Sequence, residues 1–155
     1  QHTGPPLPGG EVHLAVLNLV SGVVQKVPQS TGATYWAIDG QEVAWVDGTR
    51  KRLTLDDLAS GSELAIANVS GELTNTIQFP SLSHGLLAWG ENGGEWLYDC
   101  KSGRHVQLTH HMLYGMVLLR GGSLIWEQPV PRDSPNWHPW NAFSGYMVAD
   151  TRQMT

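Results

Sequence analysis

Short runs of alternating apolar and polar residues, cut by glycine turns, recur in register along this chain. Aligning Gly22, Gly61 and Gly103 brings a polar turn-former, Asn18, Asp57 or Asp99, four residues before each glycine. Two residues further back stand Val16, Leu55 and Leu97. The third and fifth residues after the glycines are Gln25 and Val27, Leu64 and Ile66, and Val106 and Leu108. Period-two alternation on both sides of a Ser-Gly turn predicts a β-hairpin. The glycine supplies a positive φ, and the Asp or Asn side chain folds back onto the turn backbone. A second set of columns ends in tryptophan: Val43-Ala44-Trp45, Leu87-Ala88-Trp89 and Leu124-Ile125-Trp126. Seven residues before each tryptophan stand Ile38, Leu82 and Leu119. Between lie Asp39-Gly40, His84-Gly85 and Gly121-Gly122, all suited to tight turns. The predicted unit is strand, tight turn, Trp-bearing strand, loop, strand, Ser-Gly turn, strand, with no helix.

The spacing makes this unit a repeat. Trp45 to Trp89 is 44 residues and Trp89 to Trp126 is 37, while Asn18 to Asp57 is 39 and Asp57 to Asp99 is 42. Four-stranded units of about 40–45 residues have the size of propeller blades. A β-sandwich of short strands explains the alternation but not the shared register of the Trp, Asp and Gly columns. Ile38-Asp39-Gly40, Val43-Ala44-Trp45, Leu55, Asp57, Ser60-Gly61 and the closing Leu108-Thr109 together resemble the β-propeller repeat of TolB-type proteins. The resemblance covers roughly residues 14–127. It departs in lacking a Pro before Asp39-Gly40 and in carrying His84 or Gly121 at the turn Asp of the later units. It implies an all-β fold of β-propeller-type four-stranded antiparallel blades, and an extracytoplasmic setting.

Residues 1–10 (QHTGPPLPGG) read as a linker or disordered N-terminus, and residues 11–155 as a partial β-propeller domain. Residues 33–69 and 75–109 are expected to form two whole blades, with partial blades at either end. Residues 12–28 supply the last two strands of one. Residues 113–127 open another, whose third strand is Tyr146 to Asp150, with Val148 and Asp150 falling in the Val16 and Asn18 columns. Propellers close with about four to eight blades. The expectation is therefore an incomplete ring of about three blades, a fragment of a larger propeller or half of an assembly. Its partners would then include the remaining blades or another copy of the chain.

Charge and composition narrow the chemistry. A formal net charge of −5 with only 9 Lys and Arg gives no electrostatic footprint for nucleic acid. The one basic run, Arg50-Lys51-Arg52, reads as a solvated turn between strands. Cys100 is the single cysteine, which excludes an internal disulfide, and its register with Leu19 and Leu58 points to a small buried residue. No apolar stretch approaches the ~18 residues of a membrane span. Trp45, Trp89 and Trp126 read as core, and Trp96 points to the face opposite Leu97. His105, His110 and His111 crowd together without a carboxylate at ligand spacing, so no metal and no cofactor is expected. No Gly-x-Ser-x-Gly elbow supports a hydrolase, and no catalytic residue is assigned.

The repeat breaks once. Trp126 to Asp150 is 24 residues, against 12 from Trp45 to Asp57 and 10 from Trp89 to Asp99. The insert, 128–144, carries Pro129, Pro131, Pro135 and Pro139 with Trp137 and Trp140. In a meander it emerges at the same end as the connection holding His110 and His111. Two readings stay open. As a recognition loop it offers Trp137 and Trp140 as flat contacts, with Arg132, Asp133 and His138 as polar selectors. As a lid it folds both tryptophans over the last blade. The expected function is a non-catalytic scaffold presenting loops to a protein or glycan partner. The alternative, also implied by the resemblance, is a substrate-gating propeller segment of a prolyl-oligopeptidase-like hydrolase whose catalytic domain lies outside this chain.

Overall fold

A computed structural model of the chain describes residues 13–71, 76–92, 94–109, 118–120, 123–128 and 145–150. All regular structure among them is β. A two-stranded sheet is formed by β1 (Ala15–Leu17) and β2 (Val24–Lys26). A four-stranded sheet follows, in the order β3 (Tyr35–Asp39), β4 (Glu42–Val46), β5 (Arg52–Asp57), β6 (Ser62–Asn68). The next has the same order in β7 (Ile77–Ser83), β8 (Leu86–Glu91), β9 (Gly94–Asp99), β10 (His105–Thr109). The last combines β11 (Leu118–Arg120), β12 (Ser123–Gln128) and β13 (Gly145–Asp150). Every pairing is antiparallel between sequence neighbours, so each sheet is a simple meander.

Among the described residues, the tight turns and Ser-Gly turns fall where the columns put them, with one shift. Asp39 pairs with Glu42, so the first tight turn centres on Gly40-Gln41, with φ +59° at Gly40. Ser83 pairs with Leu86, and His84-Gly85 turns with φ of +54° and +74°. Pro80 sits inside β7, where the register shifts between Gln78 and Ser81 and Phe79 takes φ +47°. A bulge is where a strand tolerates a residue lacking a ladder donor.

The sheets stack through alternating faces. On β4, Val43 and Trp45 point one way and Ala44 the other. Val43 and Trp45 join Val27, Leu58, Leu14 and Val16 in a cluster against the first sheet. Ala44, Val46, Leu53 and Leu55 cover the other face and pack with Leu82, Leu87, Trp89 and Tyr98 of the third sheet. The third sheet repeats the device, turning Ala88 and Leu97 toward Leu119 and Leu124 of the fourth. The second and third sheets thus each give the Trp face to the preceding sheet and the Ala face to the following one. A small residue facing a large one lets layers interdigitate at interior packing density. The Ser81 hydroxyl also accepts a 2.8 Å bond from the Leu119 backbone N–H, tying β7 to β11.

Trp45 and Trp89 are both buried, and their indole N–H groups donate to Asp56 at 2.8 Å and Glu91 at 2.9 Å. Trp126 lies on β12, in the equivalent second strand, opposite Met147. Trp96 stacks on Trp89 with ring centroids 6.3 Å apart. Burial in a column is not automatic, however. Leu58 is buried and Cys100 half-buried, but Leu19, in the same column, lies open to solvent.

Candidate binding surface

Strand polarity gives the stacked sheets two ends of different chemistry. One end collects the tight turns and the Ser-Gly turns. Here Gly22, Gly61 and Gly103, with φ of +70°, +71° and +73°, donate their N–H groups to the carbonyls of Asn18, Asp57 and Asp99 at 2.8, 2.8 and 2.9 Å. The side chains repeat the arrangement. Asn18 Oδ1 accepts from the N–H groups of Val20 and Ser21, Asp57 Oδ1 from Ala59, and Asp99 Oδ1 from Lys101 and Ser102. Ser60 and Ser102 hydroxyls donate to the second carboxylate oxygens at 2.7 and 2.6 Å. The serine hydroxyls, then the backbone N–H groups, hold the Asp57 and Asp99 carboxyls below their ordinary value.

Further bonds knit the turns together. Leu58 N–H donates to Gln41 O and Cys100 N–H to Gly85 O, both at 2.8 Å, joining the two turns within each sheet. Between sheets, the His84 N–H donates to the Asp39 carboxylate. The Glu42 carboxyl is raised by burial first, then by Asp39 and Asp57. Burial, with Glu42 and Asp99 nearby, pushes the Cys100 thiol up to about 12. This end is a set of satisfied turns with a suppressed thiol, in an electronegative setting opposite to that of a reactive cysteine.

The other end carries the longer connections. In the β4–β5 turn, Asp47 Oδ1 accepts from the N–H groups of Lys51 at 2.7 Å and Arg52 at 3.0 Å. Burial raises the Asp47 carboxyl, but the bonds from Thr49, Arg52 and Lys51 together bring it below its ordinary value. The Arg52 guanidinium meets Glu63 at 2.6 Å. The basic run is therefore a hydrogen-bonded turn with its last member held in an ion pair. Among the described residues, no group of three His, Cys, Asp and Glu side chains could hold a metal ion, and no helix is long and apolar enough to cross a membrane.

Arg132, Asp133, Trp137, His138, Trp140, His110 and His111 all lie outside the described residues. The strand ends flanking them are described. β10 ends at Thr109 and β11 begins at Leu118; β12 ends at Gln128 and β13 begins at Gly145. By the antiparallel alternation all four strand ends belong to the same end of the sheets as the Asp47 turn. Glu95 also belongs there, buried at the start of β9 opposite Thr109. It occupies the column of Leu14 and Leu53, two residues before Val16 and Leu55. A carboxylate in an apolar column was the available signal for it.

Comparison with known proteins bears on the fold. No protein-family description and no curated protein matches the chain. Among solved structures, TolB from Acinetobacter baumannii is similar at 18% identity and a TM-score of 0.51, over 74% of this chain and 31% of that one. A nidogen/laminin complex is similar at 13% identity and a TM-score of 0.54, over 76% of this chain and 49% of that one. A mitotic checkpoint complex matches at 18% identity and a TM-score of 0.50, over 92% of this chain and 43% of that one. These neighbours contain propellers. The fold is a β-propeller fold. The sheets are its blades, present as an incomplete ring, and the chain spans less than half the length of these three structures. The inner strands are β3, β7 and β11, which lie beside one another across the blade interfaces.

Proposed function

We propose that the chain is a non-catalytic propeller scaffold that presents loops from one end of its blades to a protein or glycan partner. The carrying observation is the contrast between the two ends. At one, every described turn is short and closed on itself by hydrogen bonds. At the other, β10 to β11 and β12 to β13 are joined by the long segments 110–117 and 129–144. Recognition concentrates on loops carried by a rigid scaffold. Trp137 and Trp140 supply flat apolar contact, Arg132, Asp133, His138, His110 and His111 supply polar selectivity, and the four prolines lower the entropy lost on binding. Proteins assembled in complexes among the structural neighbours, nidogen with laminin and the checkpoint complex, support a protein partner over a glycan. TolB and nidogen favour an extracytoplasmic setting.

A melt series on the full chain, run beside binding to immobilised protein and glycan arrays, tests the reading. Trp137→Ala and Trp140→Ala should abolish array binding and leave the melting temperature nearly unchanged. A stability loss of about 1 kcal/mol or more from each, the magnitude of lost apolar burial, would retire the recognition loop in favour of a lid.

A further inference from the structure

The joint between the first and second sheets buries a carboxylate in a column that is otherwise apolar or aromatic. Leu17, Asp56 and Tyr98 share this column, each one residue after Val16, Leu55 and Leu97. Tyr98 is 8% exposed and belongs to the cluster that joins the second and third sheets. Asp56 is buried more deeply, at 3%. It stands opposite Val43 in the β4–β5 ladder, so its side chain lies on the face of Val43 and Trp45. That face packs against Leu14, Val16 and Val27 of the first sheet. Blade stacking itself does not call for a charge here, because Tyr98 closes the next joint without one.

The surroundings compensate this carboxylate only in part. The Trp45 indole N–H donates to it at 2.8 Å. Arg52, on the same face of β5, gives its guanidinium to Glu63 at 2.6 Å. Glu63 is the cross-strand partner of Asp56 on β6 and sets a second negative charge beside it. Thr54, between Arg52 and Asp56 on this face, is fully buried, and its hydroxyl has no hydrogen-bond partner among the described residues. From β4 the facing residues are Val43 and Trp45, and from the first sheet they are Leu14, Val16, Gln25 and Val27. None of these is charged, and strand alternation turns Lys26 away. Glu63 and Arg52 are thus the charged groups that face Asp56. Burial raises its carboxyl above the ordinary 3.8; the indole bond and Arg52 oppose the rise, and Glu63 adds to it. An ionised carboxylate in such a place is relieved by taking a proton or by regaining water.

We propose that Asp56 is a pH-sensitive latch in the joint between the first two sheets. Protonated, it lets the first sheet close on Trp45; ionised, it eases the first sheet away so that water reaches the carboxylate. Trp45 couples the two, because its indole N–H bonds Asp56 while its side chain packs with Val27 and Leu14 of the first sheet. Opening the joint is then linked to the release of one proton, so the opening constant rises by at most about tenfold per pH unit. The rise runs from the ordinary Asp value to the raised one and is level above it. The event is a local opening of one joint, with the second and third sheets remaining closed on each other.

Amide hydrogen exchange of the full chain tests the latch, followed by NMR from about pH 4 to about pH 7, the range above an ordinary carboxylate, and normalised for the intrinsic rate. The Val27 N–H, bonded to Leu14 O at 2.9 Å, reports on the first sheet. A two-stranded sheet is marginal in water by itself, so releasing the joint exposes that bond. The Cys100 N–H, bonded to Gly85 O at 2.8 Å, reports on the third sheet. Val27 protection should fall several-fold as pH rises while Cys100 protection holds, and the Trp45 indole N–H resonance should shift over the same window. Asp56→Asn keeps an acceptor for the indole and cannot ionise, so Val27 protection should become level with pH. Glu63→Gln leaves Asp56 in place, removes the facing carboxylate and should move the window to lower pH. The proposal is overturned by Val27 protection that is level in the native chain, that falls equally at Cys100, or that keeps its pH dependence in Asp56→Asn. A Glu63→Gln window that stays in place or moves up overturns it as well.

Discussion

Replacing Trp89 by Ala probes the stacking of blades at its most loaded point. The side chain is 2% exposed and sits in the cluster that joins the second and third sheets. A buried Trp removes roughly 150–250 Å² from water, which at about 25 cal/mol per Å² corresponds to ~4–6 kcal/mol as an upper figure. Measured truncations of large aromatic core residues fall at about 3–5 kcal/mol, cavity included. The indole bond to Glu91 adds little to this, since Glu91 is partly exposed and can rehydrate. A loss near ~4 kcal/mol should therefore follow. With an unfolding entropy of about 2.1 cal/mol/K per residue over 155 residues, that is a fall in melting temperature of ~12 °C. Trp36→Ala, at 59% exposure, belongs in the same circular-dichroism melt series and should cost less than about 1 kcal/mol. Equal losses at the two sites, or a loss under ~1 kcal/mol at Trp89, would refute the reasoning.

Gly61→Ala should destabilise by about 1–2 kcal/mol through backbone strain, since φ is +71° and no atom lies within 4 Å of the added methyl; an unchanged urea midpoint would contradict it. Burial raises the Asp56 carboxyl above its ordinary 3.8 despite the indole bond from Trp45. The folded state then binds more protons than the unfolded one between those values, so this group lowers stability as pH rises through that window. Asp56→Asn should remove this slope and be at least as stable at neutral pH, checked by urea titrations across the window. For Asp57 and Asp99 the folded values are depressed. Their contribution is present above the ordinary carboxylate range and is lost as pH falls through the lowered values, a dependence that Asp99→Asn should reduce. Cys100, pushed up to about 12, should be alkylated by iodoacetamide at neutral pH far more slowly in the folded chain than in urea; equal rates would place the thiol elsewhere.

The parts of the fold that could be read from sequence are those that local chemistry decides. The Asn18, Asp57 and Asp99 turns each need one polar side chain and one glycine, and both are visible in the letters. The Trp45 and Trp89 columns were legible because an apolar-Ala-Trp strand presents one bulky and one small face wherever it occurs. Tertiary partners decided the rest. Leu19 shares its column with Leu58, yet its exposure depends on a hairpin that the second sheet has and the first lacks. The Phe79–Pro80 bulge shifts the period-two phase by one residue, so that Gln78 and Ser81 fall on the same face, and in the letters only Pro80 hints at it. Glu95 is buried like Leu53 in its column, and a charged residue type alone does not announce such burial. The candidate residues of the 128–144 insert were read from departure alone. A segment without repeat register offers no column against which its side chains can be oriented.

The central claim, that these meanders stack as propeller blades with the Trp45 and Trp89 faces on the preceding sheet and the Ala44 and Ala88 faces on the following one, is tested most directly by a methyl-resolved NOESY spectrum. The Trp89 indole should show cross-peaks to the second sheet, among Ala44, Val46, Leu53 and Leu55, and the Ala88 methyl to Leu119 or Leu124 of the fourth. Cross-peaks from the Trp89 indole to Leu124, or from Ala88 to Leu55, would reverse the faces and contradict the blade arrangement.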